Sequence, residues 1–162
     1  MSQGKELNDM LREQLVKLLG WQDAHVNFDD AVEGIPPRVQ GVRPEGLPYS
    51  LWELLEHMRI TQRDILDFCR DPAYEAPKWP DDYWPKDTIP PTPESWQKSV
   101  GAFRADRDAL AWFIAEPTLD LYAKIPHGQG QTYLREALLV ADHSAYHIGA
   151  FVAVRKLLGV WK

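Results

Sequence analysis

The sequence has one cysteine, Cys69, in 162 residues, so an internal disulfide and a cysteine-ligated zinc ribbon are both excluded. It is also short of positive charge. Its 18 Lys and Arg stand against 24 Asp and Glu, for a formal net charge of -6, and the basic residues form no cluster. That removes the electrostatic basis for binding nucleic-acid phosphates or anionic lipid. No apolar run is long: Ala137 to Ala141 ends at Asp142, far short of the roughly 20 residues that span a bilayer. The opening stretch MSQGKELNDMLREQL mixes charged with apolar residues and lacks the apolar core of a secretory signal. There is no repeat of fixed period, no low-complexity tract and no convincing alternating strand. These absences predict one soluble, cytoplasmic domain over residues 1–162, without nucleic-acid or membrane partners. A chain of this length buries about 70% of its unfolded surface, so it can fold without a structural metal. Any metal it holds is expected to serve function.

What is present is helical periodicity. Leu7, Leu11, Gln14, Leu18, Trp21, His25, Phe28 and Val32 recur in steps of three and four, which predicts one long helix ended by Gly34 and Pro36-Pro37. Residues 34–49 carry four prolines and three glycines and read as a crossing loop. Ser50 followed by Glu53 is a capping box, with Leu51, Leu54, Leu55, Met58, Ile65, Leu66 and Cys69 forming the apolar face of a second helix to about Arg70. Seven of the 13 prolines fall between Pro72 and Pro93, with Tyr74, Trp79, Tyr83 and Trp84 among them. That composition excludes helix and central strand, and so many aromatics predict a loop folded back on the protein. Thr92 and Pro93 read as the cap and first residue of a third helix ending before Pro117. Thr132 caps a fourth, running to about Leu158, whose apolar circumference predicts the deepest burial of the four. The expected fold class is all-α, a four-helix bundle with crossover connections.

Three of the five histidines form a pattern. His143 and His147 are four apart on the fourth helix, so both can reach one divalent ion. Two histidines satisfied by carbonyls or solvent would look the same, but this pair lies in one of the most apolar segments, where unpaired imidazoles are costly. His57, in the middle of the second helix, would by itself read more readily as a structural histidine, but a catalytic site usually has three protein ligands and His57 is the best-placed third candidate. Glu53, Glu56 and Glu136 are possible carboxylate ligands or hydrogen-bond partners of the ligands, but each reads more readily as a cap or a solvated residue.

The stretches GLPYSLWELLEHMRITQRDIL around His57 and LLVADHSAYHIGAFVAVRKLLG around His143 and His147 resemble the DinB superfamily of metal-binding four-helix proteins, as do AHVNFDDAV and the Trp-Pro-rich middle. The resemblance implies an up-up-down-down bundle in which His57, His143 and His147 bind one divalent metal. It also implies a homodimer and a thiol-dependent transferase or isomerase using a low-molecular-weight thiol such as bacillithiol or mycothiol. The family takes its name from a DNA-damage-inducible founder, which points to stress response as regulation and not to DNA binding.

Other candidates are weaker. His25, on the inward stripe of the first helix, is either a core histidine bonded to a carbonyl or a polar group lining the metal pocket, where it would support a ligand or accept a proton. Trp79 and Trp84 are expected to line the pocket, with a gap-sealing role as the alternative. His127 is read as a turn residue, Cys69 as a buried inert thiol, and Arg104, Arg107 and Lys124 as solvated charges or anion contacts. A three-histidine site leaves the ion its full positive charge and open positions. Such a site predicts a metal-dependent enzyme, with zinc, nickel, iron or manganese as the metal, and the resemblance makes transfer of a low-molecular-weight thiol to a small electrophile the expected reaction. The alternatives are metal-dependent hydrolysis and a binding protein for a metal or small molecule that performs no chemistry.

Overall fold

The computed structural model describes residues 3–21 and 23–161. Five helices follow one another: α1 (Gln3–Leu18), α2 (Phe28–Val32), α3 (Leu51–Arg70), α4 (Ser95–Ala115) and α5 (Tyr133–Leu157). Short 3-10 turns occupy Pro37–Val39 and Asp81–Tyr83. Among the described residues there is no strand, only an isolated bridge between Lys124 and Thr132. The all-α reading therefore holds.

The single long first helix does not. Its stripe continues in sequence through Trp21 and His25, but α1 ends at Leu18 and a new helix begins at Phe28. Gly20 weakens the helix at the break, and Asn27 restarts it by accepting a hydrogen bond from the Asp30 amide. The restart turns Phe28 inward to stack on Phe103, with ring centroids 3.9 Å apart. Gly34 then ends the run with a positive φ of 66°, a conformation open to glycine at little cost. α4 likewise begins two residues later than the Thr92-Pro93 pair suggests, because Thr92 and Ser95 first close a turn through the bond from the Ser95 amide to the Thr92 carbonyl.

Two layers of core fix how the long helices run. In one, Leu51, Leu55 and Met58 of α3 meet Trp96, Val100 and Phe103 of α4 and Ile148, Phe151 and Val154 of α5. In the other, Ile65, Leu66 and Cys69 meet Leu110 and Ile114 of α4, Ala137 and Val140 of α5, and Leu15 of α1. Early α3 residues thus pair with early α4 and late α5 residues, so α3 is parallel to α4 and antiparallel to α5. Arg12 donates to the carbonyl of Ile114 at the end of α4, at 2.7 Å, and to that of Leu119 just beyond it. Leu18 and Leu19 reach Ala141 and Ser144 farther along α5, so α1 runs with α5. The order is up-down-down-up, which corrects the up-up-down-down expectation.

This topology explains the proline-rich segment. A parallel α3/α4 pair requires the chain to return the whole length of α3, about 30 Å for 20 residues, before α4 can start. Residues 71–94 make that return as a strap over α3: the Tyr74 and Tyr83 hydroxyls bind Asp64, the Tyr83 carbonyl meets His57, and the Thr88 carbonyl accepts from the Ser50 hydroxyl. At its far end Ile89 lies so close to Gly41 that a side chain there would have no room. With α4, α5 and the strap around it, every residue from Leu51 to Met58 is buried. The deepest burial therefore falls on α3, not on the last helix, whose outer face leaves Leu138, Tyr146 and Leu157 exposed. By length and composition alone α5 is apolar enough to cross a membrane, but here its other face supplies core residues from Ala137 to Val154.

Candidate metal centre

The capping box sets the start of α3 and so the register of His57. Ser50 accepts from the Glu53 amide at 3.2 Å, and the Glu53 carboxylate accepts from the Ser50 amide at 2.8 Å. His57 follows one turn later on the side facing α5, where the antiparallel packing brings it opposite His143 and His147. The three ligand atoms lie within 4.8 Å of one another. The His57 Nε2 is 3.0 Å from the His143 Nε2 and 3.1 Å from the His147 Nε2.

These distances pose a proton problem that a cation resolves. The His57 Nδ1 lies 2.8 Å from the Tyr83 carbonyl, which can only accept, so Nδ1 carries the proton. In the neutral ring Nε2 then has one in-plane lone pair. It can accept from one neighbour, and the other close nitrogen is left without a matching hydrogen bond. A single ion among the three nitrogens satisfies all of them, and two ligands about 2.1 Å from an ion and at right angles lie about 3.0 Å apart. The residues fit a divalent metal.

The electrostatics agree. Burial, followed by the neighbouring His147 and His57, pushes the His143 pKa down to about 3. Burial and then His57 push His147 down to about 4. Burial lowers His57 as well, partly offset by the Tyr83 carbonyl. Neutral imidazole is the ligating form. Among the described residues the buried His147 Nδ1 has no hydrogen-bond partner, so none of them fixes this ring as Tyr83 fixes His57.

Trp84 stacks flat on His57, with ring centroids 4.0 Å apart and planes within 4°, and presents its edge to His147 at 6.4 Å. Tyr146 closes on His147 edge-on at 4.9 Å. Trp79 is different: it is 70% exposed, with its edge against Tyr83. The strap thus borders the histidines through Trp84 and leaves Trp79 on the outside.

His25 is not on an inward stripe. It is exposed in the α1–α2 connection, its Nδ1 bonded to the Val26 carbonyl at 2.8 Å. With Trp21, Ser144 and Ile148 it lines a cavity of about 280 Å³ on the α1 side of α5, whereas His143 and His147 face α3. The reason is the break after Leu18, which takes His25 out of the helical register that suggested its place. His127 ties its loop to the end of α3 through the Phe68 carbonyl at 2.7 Å. Burial, and then the charge of Glu136, push the Cys69 thiol up to about 12, which leaves it inert at neutral pH. The three glutamates have other partners: Glu53 pairs with Arg43, Glu56 with Arg59 at 2.8 Å and Glu136 with Arg135 at 2.6 Å. Arg104 and Arg107 both bind Asp29. Asp64, seven residues and two turns beyond His57, accepts from the Tyr74 and Tyr83 hydroxyls of the strap, a contact that sequence reasoning missed. Its only signal is that spacing.

With this geometry in view, the comparison with known families is decisive: the family model of the DinB superfamily matches residues 21–151. The chain belongs to the DinB superfamily. That match spans all three histidines and the whole strap, and members of this superfamily usually bind metal. Neither the curated proteins nor the solved structures yield a match to this DinB chain.

Proposed function

We propose that this DinB protein is a metal-dependent enzyme that transfers a low-molecular-weight thiol to a small electrophile at His57, His143 and His147. The observation that carries the reading is the convergence of three neutral imidazole nitrogens, two of them 3.0 and 3.1 Å from the third. A bound zinc, nickel, iron or manganese ion would supply Lewis acidity, which holds a thiol as thiolate near neutral pH. The protein's part is to orient and to exclude water. Tyr83 holds His57 with its proton on Nδ1, and Trp84 and Tyr146 present apolar ring surface beside the ligands. A fold core independent of the site supports a functional rather than structural ion, since both hydrophobic layers are complete without it. The arrangement is a four-helix bundle with one crossover. Leu138, Tyr146 and Leu157, exposed on the outer face of α5, support a homodimer, and a lone reduced cysteine supports a cytoplasmic setting.

The test has two stages. Elemental analysis of purified protein should find about one divalent ion per chain, lost in His147→Ala while helical circular dichroism is kept. Cobalt-substituted protein titrated with a small thiol should then develop a sulfur-to-cobalt charge-transfer band. Metal content equal in wild type and the triple His→Ala variant would end the metal reading. Cobalt loading without any thiol band would leave a metal site and remove thiol transfer.

A further inference from the structure

The strap reaches the site through Tyr83 and Trp84 and is held to α3 at Asp64. Asp64 receives two phenols from it, the Tyr74 hydroxyl at 2.5 Å on Oδ1 and the Tyr83 hydroxyl at 2.8 Å on Oδ2. Tyr83 is also the residue whose carbonyl accepts the Nδ1 proton of His57 at 2.8 Å, and its neighbour Trp84 covers the same ring. One side chain thus grips Asp64 while the backbone of the same residue grips His57. Both anchor points belong to α3, two turns or about 10 Å apart, so Tyr83 spans a rigid length of helix. Through this span the strap carbonyl at His57 is linked to a carboxylate two turns farther along the helix.

We infer that Asp64 is a positioning residue of the histidine site: by clamping Tyr83 it holds the carbonyl that keeps the His57 proton on Nδ1 and turns Nε2 toward His143 and His147. A partner that orients a ligating histidine is generally worth 10- to 100-fold in metal affinity, and Asp64 acts on that partner. Tyr74 provides the internal comparison. It gives Asp64 an equivalent hydrogen bond, but it lies nearer the α3 end of the strap, next to Phe68 and His127, and holds no ligand. A clamp that matters only for folding would treat the two tyrosines alike. One that positions His57 would not.

The inference rests on the metal reading for its effect on affinity, but its core, the state of the His57 ring, is measurable in the metal-free protein. Long-range proton–nitrogen correlation spectra of ¹⁵N-histidine protein should show His57 with its proton on Nδ1 in the wild type and in Tyr74→Phe. In Tyr83→Phe and Asp64→Ala the ring should shift toward a mixture of tautomers. The zinc Kd, from competition with a chromophoric chelator, should rise about tenfold in Tyr83→Phe and Asp64→Ala and less than about threefold in Tyr74→Phe. If Asp64→Ala does not fold, Tyr83→Phe carries the comparison. An unchanged His57 tautomer in Tyr83→Phe, or equal zinc affinities for the two Tyr→Phe variants, overturns the assignment. A wild type with the Nδ1 tautomer and no zinc binding would instead count against the metal reading and leave the clamp supported.

Discussion

Adding zinc to the protein at pH 6.5 should release less than about half a proton per site, and this separates a pre-formed site from three histidines that merely meet on binding. Ligation needs neutral rings, so every proton present beforehand must leave. Three imidazoles of ordinary pKa, about 6.5, are each half protonated at that pH and would release about 1.5 protons together. In the folded protein burial and mutual repulsion set His143 at about 3 and His147 at about 4. Under about 1% of either is then protonated at pH 6.5. His57 is lowered too and so contributes less than half a proton, for a total below about 0.5. Calorimetric titrations in two weakly coordinating buffers of different ionisation enthalpy give this number from the difference in apparent heats. Release of more than about one proton would refute the reasoning, because it would mean that the rings are solvated before the metal arrives. The same shifts give a sign for stability without metal. A histidine whose native pKa is depressed leaves stability intact above its unfolded value near 6.5. As pH falls below that value the unfolded chain takes up protons that the native site refuses, so stability drops toward pH 4.

Trp84→Ala should lower the melting temperature and weaken zinc binding, since a flat ring stack is worth about 1 kcal/mol beyond its buried area. Trp79→Ala, at an exposed position, should stay within about 0.5 kcal/mol of wild type in urea denaturation. Phe151→Ala, at a fully buried position between the helices, should cost about 3–5 kcal/mol, read as a fall in the urea midpoint at constant m-value. Glu53→Ala should cost about 1–2 kcal/mol by opening the cap of α3. Burial raises the Glu53 pKa, but its bonds to Arg43 and Ser50 lower it overall. Its contribution is therefore present above the ordinary glutamate range near 4.3 and is lost as pH falls through the lowered native value. A Glu53→Ala protein with wild-type stability at pH 7 and a wild-type acid transition would contradict that assignment.

The contrast between His147 and His25 shows which properties were local. His143 and His147 share one unbroken helix, and a spacing of four in α-helix geometry places both rings on one face whatever packs against them. The same holds for Ser50 and Glu53, whose reciprocal bonds need only each other, and for the apolar stripe of α3. These could be read directly from the sequence. His25 obeyed the same spacing rule, but the rule assumes a continuous helix, and Asn27 capping a new helix with Phe28 turned onto Phe103 took it out of register. Whether a helix continues across one glycine is decided by what the next turn can bury. The helix order was beyond local reading as well, because antiparallel and parallel neighbours present the same stripes. Only the grouping of Leu55 with Val100 and Phe151 in one core layer, and of Leu66 with Ile114 and Val140 in the other, separates them. The strap follows from that order. Its prolines and aromatics announced a loop held against the protein, but the meeting of Tyr83, Asp64 and His57 is a contact between residues of different reach along two segments. It exists because a parallel α3/α4 pair makes the chain run back over the face that carries the ligand.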